Sequence, residues 1–283
     1  MHRVILLLLV LPQAAARPCP WQDAPPERGD VAHANEARAR YLRAKPYHSK
    51  VFDDLVTAVR AQRQMTAWVA RYEAAHAAGD AAGTVLLARL YDAEGRRAEA
   101  LALLEALEGD RPLRDALVGD LHLAGGDPIS ALPWLDRAVR GLQGGQERDR
   151  VLRHAAEANL LVGDREAAAA TFTQLIETAP ADLDLRLEVA ELCARGGLRG
   201  EAIDHYGAAE QLAGDDPERR SRVLAELGAL HERELNPDDA EVAYVEALGL
   251  LGRGHWLEGE LLERLVELHR RRGTLMAWRT TLE

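Results

Sequence analysis

Aromatic residues make up only 5% of this 283-residue chain, and cysteine occurs just twice, as Cys19 and Cys193. Two cysteines cannot build a disulfide framework, so stability has to come from packing. Period-two alternation of β-branched and aromatic residues is missing, which argues against a sheet-built fold. Basic charge is short as well. Against 46 acidic residues stand 35 lysines and arginines, a net charge of −11, and a general nucleic-acid binder needs a basic footprint. The sequence holds no His-Glu-x-x-His, no paired Cys-x-x-Cys and no Gly-x-Ser-x-Gly element. Gly125-Gly126-Asp127-Pro128 has no Gly-Lys-Ser/Thr after it and no strand before it, so it reads as a turn rather than a phosphate loop. The sequence therefore yields no catalytic residue, no metal ligand and no cofactor site. It points to a chain that is not an enzyme.

Long apolar runs are missing too. The longest stretch of this kind near the start, Val4 to Leu11, is far below the roughly 20 residues that span a bilayer. It follows the basic start Met1-His2-Arg3 and precedes Gln13-Ala14-Ala15-Ala16, which offers small residues at the −3 and −1 positions. That order reads as an export signal (1–16) cleaved near Ala16, giving a bacterial protein of the periplasm or exterior with no stable membrane insertion. Ala16-Arg17-Pro18 before Cys19 lacks the small or aliphatic residues of a lipid-attachment site. Pro18, Pro20, Pro25, Pro26 and Gly29 make residues 17–34 a flexible lead-in. A helix is expected over Asn35 to Arg43, ended by Lys45-Pro46.

What the chain does have is hydrophobic content, 47%, much of it alanine and leucine in helical spacing. That pattern recurs. Leu86-Leu87-Ala88 with Gly95, Ala100 and Leu104 forms one copy, and Val118-Gly119 with Gly126, Ala131 and Leu135 the next. Ala155-Ala156, Asn159, Gly163, Ala168 and Phe172 form a third, and Val189-Ala190, Cys193, Gly197, Ala202 and Tyr206 a fourth. The fifth is Leu227-Gly228, His231, Ala240 and Tyr244, with a turn through Asn236-Pro237 that reads as longer. The anchors Ala100, Ala131, Ala168, Ala202 and Ala240 are 31, 37, 34 and 38 residues apart. Small residues let the two helices of a hairpin approach, and the bulky residue four later fills the gap to the next hairpin.

This pattern resembles the tetratricopeptide repeat family, whose period is about 34 residues, over roughly residues 50–283. The resemblance implies an all-α fold, a right-handed solenoid of tandem helical hairpins. Variant N-terminal helices are expected at 35–80, five repeats at 81–254 and a C-terminal, incomplete hairpin at 255–283. Leu55-Val56 through Trp68 to Glu73 aligns with Leu265-Val266 through Trp278 to Glu283, tryptophan replacing the second-helix alanine in both. The chain stops at Glu283 in mid-pattern, so a longer array, or a helix lent by a partner, is the expectation there.

The family's concave face, lined by the first helix of each hairpin, takes peptides or partner helices, so the resemblance implies a protein-interaction scaffold. The family's lysine-asparagine clamp for a peptide carboxylate does not carry over. Its positions fall on Val85 and Arg89, Ala116 and Asp120, Arg153 and Glu157, and Leu187 and Glu191. The groove-facing stripe runs Arg89, Asp120, Glu157, Glu191, Ala229 and Glu267, and its acidic members suit a basic segment of a protein partner. A solvated face on an acidic protein gives the same pattern. His122, His231 and His269 occupy equivalent first-helix positions and read as polar seam residues rather than metal ligands. Asp53-Asp54, Asp215-Asp216 and Asp238-Asp239 read as helix-start carboxylates, and Arg270-Arg271-Arg272 as a helix C-terminus. The alternative function is a docking or regulatory arm of a larger, catalytic assembly.

Overall fold

A computed structural model describes residues 28–282 apart from 110 and 253. The export signal at 1–16, Cys19 and the first part of the Pro-rich lead-in lie outside the described residues. Every regular element described is a helix, and the helices follow one another through turns of a few residues. Two compact units are present, one ending at Leu90 and the other running from Tyr91 onward.

The first unit holds α1 (Arg28–Ala44), α2 (Ser49–Ala61), α3 (Met65–Ala77) and most of α4 (Ala81–Ala93). Helix α1 is described from Arg28, within the segment read from its prolines and glycine as a lead-in, and past the last of those prolines, Pro26. Its end before Lys45-Pro46 is where proline geometry places it. His48 caps α2, its Nδ1 accepting from the Val51 N–H at 3.3 Å. Asp53 and Asp54 are therefore not the cap; they sit exposed in the second turn of α2. Phe52, Leu55, Val59, Trp68, Val69 and Tyr72 form the buried side of this unit.

The second unit continues with α5 (Arg97–Glu105), α6 (Pro112–Ala124) and α7 (Pro128–Gly141), then α8 (Gln146–Val162) and α9 (Arg165–Thr178). After them come α10 (Leu183–Arg195), α11 (Arg199–Ala213), α12 (Pro217–Arg233), α13 (Pro237–Leu250), α14 (Trp256–Arg272) and α15 (Leu275–Leu282). Pairs α6–α7, α8–α9, α10–α11 and α12–α13 are antiparallel hairpins, and the second helix of each packs on the first helix of the next. Aspartates fix the helix starts. The carboxylates of Asp127, Asp164, Asp182 and Asp216 each accept a backbone N–H from the first turn that follows.

Repeat anchors form the core. Ala100, Ala131, Ala168, Ala202 and Ala240 are all fully buried, as are Leu104, Leu135, Phe172, Tyr206 and Tyr244 one helical turn later. The glycines of the first helices mark the closest approaches. A Cβ built on Gly119 would lie 2.6 Å from Leu135, and one on Gly228 would lie 2.5 Å from Tyr244. The turn before Pro237 is not longer than its counterparts: Glu234, Leu235 and Asn236 link α12 to α13, just as three residues link α10 to α11. It looked irregular because Leu235 takes the left-handed conformation (φ 58°) that Gly126 and Gly197 adopt in the equivalent turns.

Candidate interaction groove

The first helices of the hairpins in the second unit, α6, α8, α10, α12 and α14, are stapled to one another by ion pairs. The Arg150 guanidinium of α8 pairs with Asp120 of α6, whose other oxygen lies 2.6 Å from His154 Nδ1. Arg153 of α8 grips Glu188 of α10 with two parallel hydrogen bonds, 2.5 and 2.9 Å. Arg222 of α12 reaches Asp184 of α10 at 2.9 Å. Farther on, Glu232 of α12 has Arg264 and Arg271 of α14 at 4.0 and 3.9 Å. Pairs one helix apart, with an arginine fork on a carboxylate, fix the angle between neighbouring hairpins more than they add free energy.

This ladder changes the reading of the acidic stripe. Asp120 is committed to Arg150 and His154. Glu267 is committed to Arg270 and Arg271, whose hydrogen bonds hold its carboxyl below the usual carboxylate range. Arg89 belongs to the first unit, where its guanidinium lies 3.9 Å over the Phe52 ring and donates to the Pro46 and His48 carbonyls at 2.7 and 3.3 Å. It ties α4 to the α1–α2 loop. Glu157 and Glu191 remain. Both are exposed, Glu157 without an ion-pair partner among the described residues and Glu191 with only Arg195, one turn along its own helix at 3.7 Å.

Two adjoining clefts open along this face. One, of about 220 Å³, lies between α10 and α12 and is bordered by Asp184, Leu187, Glu188, Glu191, Arg222 and Glu226, with Tyr206 of α11 at its base. The second, of about 390 Å³, continues past Glu191 and Glu226 to Ala229 and Glu232 and on to Arg233, Arg264 and Arg271. Glu191 and Ala229, read from the sequence as groove residues, do line this surface. Glu226 and Tyr206 were missed. Glu226 sits one turn before the Ala229 position that the repeat alignment had singled out, and it is exposed with no ion-pair partner among the described residues. Tyr206 matched the bulky packing position and was absorbed into the core, which concealed its hydroxyl.

The seam histidines face carboxylates of neighbouring second helices. His122 Nε2 lies 3.3 Å from Glu105 and His231 Nδ1 lies 3.9 Å from Asp239. His269, buried and stacked on Trp278 at 4.6 Å, has Glu241 at 3.4 Å and Thr274 at 3.0 Å. Among the described residues there is no group of three or more histidine, cysteine, aspartate or glutamate side chains placed to hold a metal. The same residues include no helix long and apolar enough to cross a membrane. The Cys193 thiol is buried, and burial pushes its pKa up to about 12. Arg270, Arg271 and Arg272 close α14 as a basic last turn, and Arg272 also reaches back to Asp238 and Glu241 of α13 at 2.6 and 3.0 Å.

The helical arrangement has a counterpart among solved structures. The C-terminal part of a tetratricopeptide repeat-containing protein from Cytophaga hutchinsonii superposes with a TM-score of 0.55 at 15% identity, over 82% of this chain and 95% of that one. The chain has the tetratricopeptide-repeat fold. A tetratricopeptide repeat protein from Parabacteroides merdae matches at a TM-score of 0.45 and 17% identity, over 85% of this chain and 92% of that one. YrrB, described as a tetratricopeptide protein with an unusual peptide-binding site, matches at 0.42 and 15%, over 64% of this chain and 91% of that one. No family model and no curated protein matches the sequence.

Proposed function

We propose that this tetratricopeptide-fold chain is a non-catalytic interaction scaffold, and that the face formed by α8, α10 and α12 binds a basic segment of a protein partner. One observation carries the reading. Along a face where the other acids are neutralised by the arginine ladder, Glu157, Glu191 and Glu226 stand on three successive first helices without a cross-helix partner. Carboxylates that no neighbouring helix neutralises, on rigid helices, concentrate negative potential where a partner's cations can reach it. The family's interaction surface, as the resemblance has it, is the same first-helix face. Export of the mature chain, from the signal read at 1–16, belongs to the same proposal, as does the reading of 81–254 as the repeat region that presents the groove.

The test is a binding titration of the full chain with fluorescent hexalysine and, as its opposite, hexaglutamate, in low and high salt. Hexalysine is expected to bind, and hexaglutamate not, with affinity falling as salt screens the field. The double reversal E157K/E191K is expected to weaken hexalysine by at least roughly tenfold, as lost charge complementarity does. Unchanged hexalysine affinity in that variant sinks the groove reading.

A further inference from the structure

We infer that the basic segment taken up by the groove is this chain's own: Arg38–Lys50 of one copy docks on the α8, α10 and α12 face of a second copy. This rests on the groove reading above and names its partner.

Charge is divided between the two units. Through Leu90, twelve lysines and arginines stand against eight acids; from Tyr91 on, 23 stand against 38. A chain of net charge −11 thus carries a first unit of net positive charge. The surplus is concentrated. No acid lies between Glu36 and Asp53, and Arg38, Arg40, Arg43, Lys45 and Lys50 all fall in that interval. Their neighbours decide which of them face a partner. The Arg43 guanidinium pairs with Asp80 at 2.7 Å, and Arg38 donates to Asn35 at 3.0 Å. Arg40, Lys45 and Lys50 are exposed and form no ion pair among the described residues. Glu36, the acid on which Arg40 acts, is bonded to Arg71 at 2.6 Å.

The segment is held in place rather than loose. The Lys45 N–H donates to the Tyr41 carbonyl at 3.0 Å and the His48 N–H to the Lys45 carbonyl at 3.1 Å. The Arg89 guanidinium fixes the same loop through the Pro46 and His48 carbonyls at 2.7 and 3.3 Å. A segment ordered beforehand loses little conformational freedom on binding. On the receiving face, Glu157, Glu191 and Glu226 have no cation from a neighbouring helix. Three unpaired cations on the first unit and these three carboxylates on the second are complementary. Two chains of net charge −11 repel each other as wholes. At about 0.1 M salt, however, exposed charges farther apart than about 10 Å are largely screened, so the local pairing decides. Segment and groove are different surfaces, which makes the contact heterologous: copies add head to tail, into a ring or an open chain.

The experiment is sedimentation velocity of the full chain over a wide range of concentration, in about 0.1 M and about 1 M salt, where the screening length falls from about 10 to about 3 Å. Concentration-dependent association is expected at the lower salt and its loss at the higher. K45E/K50E and E157K/E191K are each expected to weaken association by at least roughly tenfold, with K45E/K50E still binding hexalysine. Mixed in equal amounts, the two variants are expected to form a heterodimer, because each keeps the surface that the other has lost. A chain that stays monomeric at every concentration, or association that K45E/K50E leaves intact, overturns the inference. The groove reading stands in either case if E157K/E191K has lost hexalysine. A monomer that binds phosphatidylglycerol vesicles through Lys45 and Lys50 would assign the segment to a lipid surface and overturn it too. If hexalysine does not bind the unmodified chain, both readings fall.

Discussion

Replacing Gly228 with alanine is expected to destabilise the second unit, although alanine is the better helix former. In an exposed helix interior that exchange gains up to about 1 kcal/mol. At Gly228 the added Cβ would lie 2.5 Å from Tyr244 Cε1, 2.7 Å from Cδ1 and 3.0 Å from Cζ. The ring cannot swing aside freely, because Tyr244 is fully buried and its hydroxyl is held by Glu232 at 2.8 Å. Either α12 and α13 separate, an overpacking cost of roughly 1–3 kcal/mol, or the ring gives up a hydrogen bond to a charged group, about 1.5–3 kcal/mol. Subtracting the propensity gain leaves a net loss of up to about 2 kcal/mol. Gly207 supplies the control: it lies inside α11, exposed, with nothing within 4 Å of its built Cβ. G207A is expected to stabilise by up to about 1 kcal/mol. The assay is urea unfolding followed by helical circular dichroism, with hydrogen exchange at α12–α13 to localise the change, since repeat arrays need not unfold in one step. A G228A protein as stable as G207A would refute the close-approach argument.

Two further outcomes follow from the side chains described. Breaking the Arg153–Glu188 pair with R153A, E188A and the double variant is expected to give a coupling of at most about 1 kcal/mol, because both groups are about a third or more exposed; the coupling should vanish in strong salt, and one that persists there would mean the pair is not acting through charge. In a C19S background, Cys193 is the single thiol, and with its pKa near 12 it is expected to resist a disulfide reagent at mild alkaline pH until urea is added; rapid labelling of the folded chain would contradict its burial.

The hairpin architecture was legible because its determinants are local and repeated. Alanine at one face of each second helix and a bulky residue one turn later can be read without knowing the partner helix, and Ala131 with Leu135 or Ala168 with Phe172 are buried as that pattern requires. The turns were legible where glycine marks the left-handed residue, at Gly126 and Gly197, and misleading where Leu235 adopts the same φ. The candidate groove was legible only in outline. Periodicity places Asp120, Glu157, Glu191 and Glu267 on one line, yet it cannot say that arginines one helix away consume the first of them and arginines one turn away the last. Those partners lie up to 30 residues off in sequence, with no repeat phase linking them. For a related reason periodicity did not show that the Arg89 guanidinium donates to carbonyls of the α1–α2 loop.

Tyr206 and Tyr244 show how one packing position can carry different polar surroundings without altering the fold. The packing role of the residue four after the anchor alanine is met by Leu104, Leu135, Phe172 or tyrosine alike, so a phenol there costs the core nothing in shape. What the hydroxyl does is set by two positions outside the packing pattern. With Glu232 and Arg264 it closes an internal network; with Ala194 and Glu226 that network is absent, and Arg233 is the cation beside the Tyr206 hydroxyl. Because each hairpin contacts only its neighbours, those two positions can change while the rest of the stack is undisturbed. The repeat residues specify the scaffold, and recognition is expected at the departures from the repeat. For that reason Ala194 and Glu226, unremarkable in any single copy, become informative once the copies are compared.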